Sequence, residues 1–481
     1  MQIEYPPAFA RKVIRNEASG GAFHHLSMVA PTIVQPGRPF SLKLALTDEK
    51  GLAVVSDAPR LGIMLEGVDW RAAVDFPSDT PALAAVTGIR IEQPGLHRFV
   101  CEIAGQTFHS NPVCCSRDCD HGIYWGDPHI HTALSNCMVQ YSRSLCCGLN
   151  AARYLSCLDW AGAADHVSNG RCELARWKEE SNVAEAYDDP PAFVTLPAYE
   201  ASLKGGAGGD NNVYMTRFPS LFVDEHDGGN TRTICAKLAE LARAEGFEFF
   251  IVPHHTTRTG KHGEISDEIY PGPEKMPVLE IHSKWGCSEY RGNPDALQKI
   301  HEGPSYAVDL LARGLPFGFI GGTDSHATLT FARPLIEAAN ISSLPGLTAA
   351  RCKTLERRGV FDAIRSRNCY AAAGERIFLD VSMGGRGMGT IAPDNGRPRR
   401  LVLQAAGQTD LRSVEIIRNG QVWQKYEPGT WSFAVEVEDQ EDFAALAQPS
   451  GHIGKFVYYY VRVRCASGAA AWSSPIWHVA T

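Results

Sequence analysis

Two histidines separated by a single residue, His129 and His131, stand in the segment "YWGDPHIHTALSNC", residues 124 to 137. In an extended chain, residues two apart point to the same side of a strand, so both imidazoles could bind one metal ion. Ordinary polar strand ends show the same spacing. A metal site therefore requires partner residues elsewhere in the chain.

Such partners occur at the ends of other apolar runs. Six strand-like runs end in side chains that can bind metals: His129 and His131, Asp165 and His166, Glu200, His254 and His255, Glu280 and His282, and Asp324 and His326. In parallel βα folds the carboxyl ends of the strands meet at one face, where active sites lie. The set therefore predicts one shared site, although each histidine taken alone could be an ordinary hydrogen-bonded loop residue.

The residue types also suit one kind of chemistry. Imidazole nitrogens and carboxylates are ligands for zinc, manganese or iron, and a carboxylate such as that of Glu200 can bridge two ions. Two ions about 4 Å apart can generate hydroxide near neutral pH and hold both oxygens of an in-line displacement at phosphorus. The pattern thus indicates hydrolysis by activated water.

The elements that must position these residues fall into three predicted regions. The 481 residues exceed the size at which a single core stops growing, so we expect two or three domains. Alternation in "FSLKLALT" predicts an N-terminal β-sandwich over residues 1 to 120, and "SVEIIRNGQVW", with its Asn419-Gly420 hairpin signal, predicts a second one over residues 376 to 481.

Between them, residues 121 to 375 alternate strand-like and helix-like stretches. In "TRTICAKLAELARAEGFEFFIVPHH", Ile234, Leu238 and Leu241 lie on one helical face, and a buried type of strand follows Gly246. This alternation is typical of a parallel sheet or barrel. The predicted fold class is α/β.

Composition excludes several classes of partner. The net charge of −8 comes without a run of Lys or Arg, which argues against nucleic acid and against an anionic membrane. The start, "MQIEYPPAFARKV", lacks the apolar core of a signal peptide, and no stretch reaches about 18 apolar residues. We therefore expect a cytoplasmic protein whose fourteen cysteines are mostly reduced thiols.

The order of the motifs resembles a known superfamily. "HIH", "ADH", "YE", "VPH" and "GGTDSHA" follow the order seen in the PHP (polymerase and histidinol phosphatase) metallohydrolases. "GDPHIHTALS", "NNVYMTRFP", "LEIHSKWGCSEY" and the C-terminal "YYYVRVRCASGAAAWSSPIW" are similar to a PHP-like group of unassigned function with flanking β domains. The resemblance covers roughly residue 31 to the C-terminus.

This resemblance implies a distorted (β/α)7 barrel, flanked by the two β-sandwiches, that binds two or three divalent ions (Zn, Mn or Fe). It implies the following ligands: His129, His131, Glu200 and Asp324 for one ion, Glu200 and His254 for a second, and His166 and His326 near a third. Asp324, Glu200 and His326 are the predicted catalytic residues. Asp324 would orient or deprotonate a metal-bound water.

Three positions depart from the resemblance. Cys137 stands where these families usually have Asp, and its thiolate could still bind zinc although a hard-metal third site becomes doubtful. Asp210 stands where relatives have a histidine, so a second-ion ligand is either replaced or lost. His282 stands where close relatives often have an apolar residue, and it could compensate as a ligand.

The substrate side is less defined. Lys284 and Arg258 follow metal-motif strands and could contact an anionic substrate, with His255 beside them, although each could equally be a solvated residue. The expected partner is a small anionic molecule, and a homo-oligomer is left open. We predict a metal-dependent hydrolase of phosphate esters. The alternatives are a hydrolase of amides, lactones or carboxylic esters, and a non-catalytic ligand- or carbohydrate-binding protein with structural metals.

Overall fold

The fold was analysed in a computed structural model. It describes residues 2–135, 142–167, 174–203, 207–223, 229–258, 265–297, 305–329 and 343–480. Within these ranges, strands far outnumber helices, with 33 β-strands and seven α-helices. No helix in these ranges is both long and apolar enough to cross a membrane.

The N-terminal region consists of three sheets around one hydrophobic core. Its elements are β1 (Gln2–Glu4), α1 (Ala8–Glu17), β2 (His25–Val29), β3 (Ile33–Val34), β4 (Phe40–Thr47), β5 (Leu61–Leu65), β6 (Arg71–Val74), β7 (Leu83–Ile89), β8 (Gly95–His97), β9 (Phe99–Ile103), β10 (Gln106–His109) and β11 (Val113–Cys115). The first two sheets have the orders β1-β7-β4-β2 and β10-β9-β5-β6, and the third has the order β3-β11-β8. Leu42 and Leu44 from the first pack with Ile63 and Phe99 from the second.

The middle region carries the candidate site. Its elements are β12 (Gly122–Ile130), α2 (Leu145–Asn150), β13 (Trp160–Ala163), α3 (Leu174–Tyr187), β14 (Val194–Thr195), β15 (Ala198–Ser202), β16 (Asp210–Met215), α4 (Thr231–Glu245), β17 (Phe249–Pro253), β18 (Val278–Ser283), β19 (Gly286–Cys287), α5 (Ala307–Ala312), β20 (Gly318–Gly321), β21 (Gly346–Cys352), α6 (Arg357–Arg365) and β22 (Cys369–Ala373). Asn230 caps the start of helix α4, because its side chain accepts a hydrogen bond from the Thr233 amide. Gly246, in the left-handed conformation, caps its end.

The prediction of a distorted (β/α)7 barrel is wrong. The strand pairs β12–β13, β13–β14 and β18–β20 are parallel, but β15, β16 and β17 form an antiparallel sheet, and β21 pairs antiparallel with both β12 and β22. The protein is therefore mostly β, with mixed sheets in place of a regular βα repeat. Strands buried on both faces show the same continuous apolar run in either direction, so the sequence does not reveal the direction of pairing.

The C-terminal region continues a sheet of the middle region. Its elements are β23 (Phe378–Met383), β24 (Arg386–Gly387), β25 (Ile391–Pro393), β26 (Arg399–Ala406), β27 (Leu411–Arg418), β28 (Gln421–Tyr426), β29 (Ser432–Asp439), α7 (Phe443–Leu446), β30 (Gln448–Ser450), β31 (Gly454–Cys465), β32 (Ala470–Ser473) and β33 (Ile476–Val479). The strand β22 pairs with β32, so one twelve-stranded sheet runs from β14 to β28. The predicted domain boundaries after residues 120 and 375 stay predictions.

Backbone hydrogen bonds bring the strand ends together at the site. The Asp324 amide donates to the His129 carbonyl over 2.8 Å, and the His131 amide donates to the Ser325 carbonyl over 2.9 Å. A single parallel bridge joins His166 to Glu200 in the same way. These links place the residues after β12 and β20 side by side, and those after β13 beside β15.

Candidate metal centre

Eight side chains that can bind metals converge where these strand ends meet. They are His129, His131, His166, Glu200, His254, His255, Asp324 and His326. They form four overlapping groups of three, and within each group the ligand atoms lie within 4.8 Å of one another. All eight were predicted from the sequence, seven as metal ligands and His255 as a substrate contact.

Four of these residues form a compact set of donors. His131 Nε2 lies 3.1 Å from His129 Nε2, 3.2 Å from Glu200 Oε2 and 3.0 Å from Asp324 Oδ1. His129 Nε2 lies 3.6 Å from the same oxygen of each carboxylate. Ligands at 2.0–2.1 Å from a tetrahedral zinc ion lie about 3.3 Å apart. The distances of 3.0–3.6 Å from His129 and His131 to each other and to the two carboxylates therefore suit donors that share a cation.

Glu200 has the geometry of a bridging carboxylate. Its Oε2 atom lies 3.3 Å from His166 Nδ1, and its Oε1 atom lies 3.2 Å from His254 Nε2 on the other side. Oε2 is buried, and no group in the part of the chain that the structure describes donates a hydrogen bond to it. A buried carboxylate oxygen without a hydrogen bond costs free energy, and a cation among these donors would remove that cost.

Asp324 also directs its two oxygens to different partners. Oδ1 lies 3.6 Å from His326 Nδ1 in addition to its contacts with the compact set. Oδ2 lies 2.6 Å from His255 Nε2. Each of the two carboxylates thus contacts histidines on two sides of the cluster. The two or three ions predicted from the sequence stay a prediction.

The electrostatic balance keeps both carboxylates ionised. Burial by itself would raise the pKa of the Glu200 carboxyl, but His166 and His254 hold that pKa well below its ordinary value. Burial likewise opposes ionisation of Asp324, and His129 is the largest of the influences that hold the Asp324 pKa well below its usual range. The centre therefore presents two negative charges to a cation.

The outer nitrogen of each inner histidine has a defined neighbour. His129 Nδ1 lies 3.0 Å from Glu280 Oε2, and His131 Nδ1 lies 3.4 Å from Ser135 Oγ. The sequence pattern marked Glu280 only as one more strand-end residue. The sequence indicates that Glu280 lies on the same strand face as His282. It does not predict the contact of Glu280 with a residue 151 positions away.

The single carboxylate of the "GDPHIH" segment, Asp127, has a structural role. Asp127 accepts hydrogen bonds from the backbone amide and the hydroxyl of Thr323 and from the His129 amide. Burial raises the pKa of Asp127 to about 6. Asp127 therefore ties the end of β12 to the loop after β20.

Two predicted ligands lie apart from the converging donors. Among the described residues, neither His282 nor Asp210 belongs to a group of closely spaced ligand atoms. His282 Nε2–H donates to the Leu344 carbonyl over 2.8 Å, and its ring stacks on Trp472 at 5.5 Å. Burial lowers the pKa of His282, which keeps the ring neutral. Asp210 is buried on β16, opposite Ser202.

The remaining predicted residues differ in position. Cys137 lies outside the described residues. Lys284 is fully buried, with Nζ 3.4 Å from Ser325 Oγ beside the metal motif. The Arg258 guanidinium lies 5.1 Å from the centre of the Trp285 ring, whose edge faces His326 at 5.9 Å. Lys284 therefore contacts the residue next to Asp324, and Arg258 is linked to His326 through the Trp285 ring.

No protein-family model matches the sequence. Among curated proteins, an uncharacterized protein of Chlamydia pneumoniae is 24% identical over 482 residues, which cover 97% of this chain and 75% of that protein. An uncharacterized protein of Chlamydia trachomatis is 25% identical over 483 residues, covering 95% of this chain and 74% of its own. The names of both relatives describe no activity.

Solved structures give only distant similarities. A Bacteroides uniformis beta-glucuronidase 2 has 8% sequence identity and a TM-score of 0.22, and the match covers 95% of this chain and 61% of the glucuronidase. A cycloisomaltooligosaccharide glucanotransferase from Paenibacillus has 8% identity and a TM-score of 0.22, with 95% of this chain and 72% of that one covered. This chain thus spans about three fifths of the glucuronidase.

Proposed function

We propose that this chain is a metal-dependent hydrolase that directs an activated water at a phosphate ester. The observation that carries the proposal is that the inward nitrogens of His129 and His131 lie 3.0–3.6 Å from each other and from one oxygen each of Glu200 and Asp324. Buried hydrogen-bonded residues without a cation seldom place two carboxylates and several imidazoles around one point. The resemblance to the PHP metallohydrolases supports the same assignment.

Divalent cations held by these donors would lower the pKa of a water molecule and neutralise charge on a phosphate. The chain's own residues supply the rest of the chemistry. Glu200 and Asp324 each face two sides of the cluster and can hold adjacent cations together. Asp324 directs Oδ1 into the cluster, and its Oδ2, which contacts His255, is the oxygen that can accept a proton.

An anionic substrate accords with the cations beside the centre. Lys284 is buried near Ser325, and Arg258 lies over Trp285 at the side where His166 and His326 are partly exposed. A guanidinium matches the paired oxygens of a phosphate, and a buried ammonium supplies a point charge. These two residues support a phosphate ester as the first substrate class to test.

We also propose a cytoplasmic location. Twelve of the described cysteines carry free thiols. Thiols that remain reduced are typical of the cytoplasm, where disulfides are rare.

The test is a hydrolysis panel with metal-loaded and chelator-stripped protein. The panel contains phosphomonoesters, phosphodiesters, carboxylic esters and amides. We expect metal-dependent release of phosphate, lost in Asp324→Asn and kept in Asp362→Asn, a matched change on the exposed side of α6. Cleavage of only esters or amides would redirect the proposal to carbonyl chemistry, and no metal-dependent cleavage at all would contradict it.

A further inference from the structure

We propose that Glu280 is a positioning residue for the central cation: its carboxylate holds the His129 ring in the orientation that directs Nε2 into the cluster, and thereby tightens cation binding. This inference rests on the proposed function. Among the described residues, Glu280 is not one of the clustered donors, and its carboxylate contacts one of them, His129.

The contact has the geometry of a charged hydrogen bond. His129 Nδ1 lies 3.0 Å from Glu280 Oε2 and 3.3 Å from Oε1, so the ring N–H is shared between the two oxygens. Both side chains are almost completely buried, with His129 at 0% and Glu280 at 2% exposure. Since a carboxylate accepts and the imidazole must donate, Nδ1 carries the hydrogen of this contact, and Nε2 is the nitrogen that faces the cluster.

His131, the other histidine of the compact set, has a weaker hydrogen-bond contact at its outer nitrogen. His131 Nδ1 faces the neutral Ser135 hydroxyl at 3.4 Å, and that hydroxyl already accepts a hydrogen bond from the His166 amide over 3.0 Å. A carboxylate behind an imidazole raises the basicity of the opposite nitrogen, whereas a hydroxyl does so much less. His129 is therefore the stronger of the two nitrogen donors, and Glu280 is the cause.

The backbone leaves room for this pair. At Gly322, directly after β20, an added Cβ atom would lie 2.7 Å from His129 Cβ and 2.9 Å from Glu280 Oε2. Real Cβ atoms do not approach other heavy atoms so closely, so any larger residue would push His129 and Glu280 apart. The second glycine of the "GGTDSH" motif thus serves the His129–Glu280 contact.

The test measures cation affinity rather than activity alone. Wild type, Glu280→Gln and Glu280→Ala are titrated with Zn²⁺ against a chelator, and with Co²⁺ to record the absorption bands of the bound ion. We expect affinity to fall about 10- to 100-fold in Glu280→Gln and further in Glu280→Ala, because the amide oxygen still accepts the Nδ1 hydrogen but carries no charge. The Co²⁺ spectrum should change with the altered donor.

Glu289→Gln is the matched control. Glu289 is also fully buried, but it accepts hydrogen bonds from Tyr460, Trp472 and Arg462 and does not touch the cluster. We expect this variant to lose stability and to keep wild-type cation affinity. If Glu280→Gln folds poorly, Gly322→Ala disturbs the same contact from the other side and should lower affinity in the same direction.

The outcomes separate the two proposals. Tight cation binding in wild type with equal affinity in Glu280→Gln and Gly322→Ala would overturn the role of Glu280 alone. Tight binding that Glu280→Gln weakens, without hydrolysis in any panel, would overturn the proposed function and leave the role of Glu280 standing. A wild-type chain that binds no divalent cation would overturn both.

Discussion

His255 Nε2 lies 2.6 Å from Asp324 Oδ2, and both side chains are buried. Both residues also have a positive φ, 52° for His255 and 50° for Asp324. A non-glycine residue in this region costs on the order of 1 kcal/mol or more, so the surrounding structure must hold the two backbones in place. The pair joins two members of the cluster that follow different strands, β17 and β20.

This contact leads to a prediction for His255. His255→Gln should keep the bound cation and lower kcat on the order of 10²-fold, because Asp324 loses a partner that can share its proton. A residue that only binds substrate would instead raise KM. Steady-state kinetics on the best substrate of the panel separate the two roles, and unchanged kcat with raised KM would return His255 to its sequence-based assignment.

Replacing Asp324 should have a larger effect. Asp324→Asn is expected to lower hydrolysis about 10²- to 10⁴-fold, since the amide is a weaker ligand and cannot take a proton from water. Rate measurements at saturating metal check this, with Asp362→Asn as the control. His326→Ala should be milder if the third cation position is incomplete and equally severe if three ions act together. Full turnover in Asp324→Asn would show that the centre has been misassigned.

Metal content gives an independent prediction. We expect purified protein that has not been exposed to a chelator to hold about two divalent ions per chain. We expect fewer than three ions because Cys137 stands in place of the usual Asp and Asp210 in place of the usual His. Elemental analysis of the purified chain measures this directly. Protein without any bound transition metal would contradict the assignment of the clustered side chains as a metal centre.

Cys137, which lies outside the described residues, has two alternative roles, a zinc ligand or a packing residue. If its thiolate is a ligand, Cys137→Ser should lower zinc occupancy and leave the fold intact, because a neutral hydroxyl binds zinc much more weakly. Zinc titration and circular dichroism of the variant provide the measurement. Unchanged occupancy would identify Cys137 as a packing residue.

His478 predicts a loss of stability in acid, independent of any cation. Burial lowers the pKa of this ring, on β33, to about 4, opposed by Asp394 and aided by Arg399 and Arg386. The unfolded chain takes up the proton near its ordinary value of about 6.5, so the stabilisation is complete above pH 6.5 and is lost as pH falls towards 4. The loss is at most about 3 kcal/mol.

The measurement is urea unfolding of wild type and His478→Gln at pH 7.5 and pH 4.5. The variant should lose less stability between the two values than wild type does. His452→Gln, a change at a more exposed histidine, serves as the control and should follow wild type. Parallel pH dependence in wild type and His478→Gln would refute the assignment.

The sequence by itself determined which residue types stand at the ends of the apolar runs. The spacing of His129 and His131 and the order of Glu200, His254 and Asp324 predicted a shared centre, and these side chains converge in the structure. This part of the prediction follows from local geometry, because side chains two residues apart in a strand lie on the same face.

Only the tertiary structure decided how the strands pair and which donors meet. The antiparallel course of β15, β16 and β17 is absent from the sequence pattern, since a doubly buried strand looks the same in both directions. The same holds for His282, which turns to the Leu344 carbonyl, and for Glu280, which supports His129. Such contacts join residues 62 and 151 positions apart, and their partners are set by the packing of whole sheets rather than by local spacing.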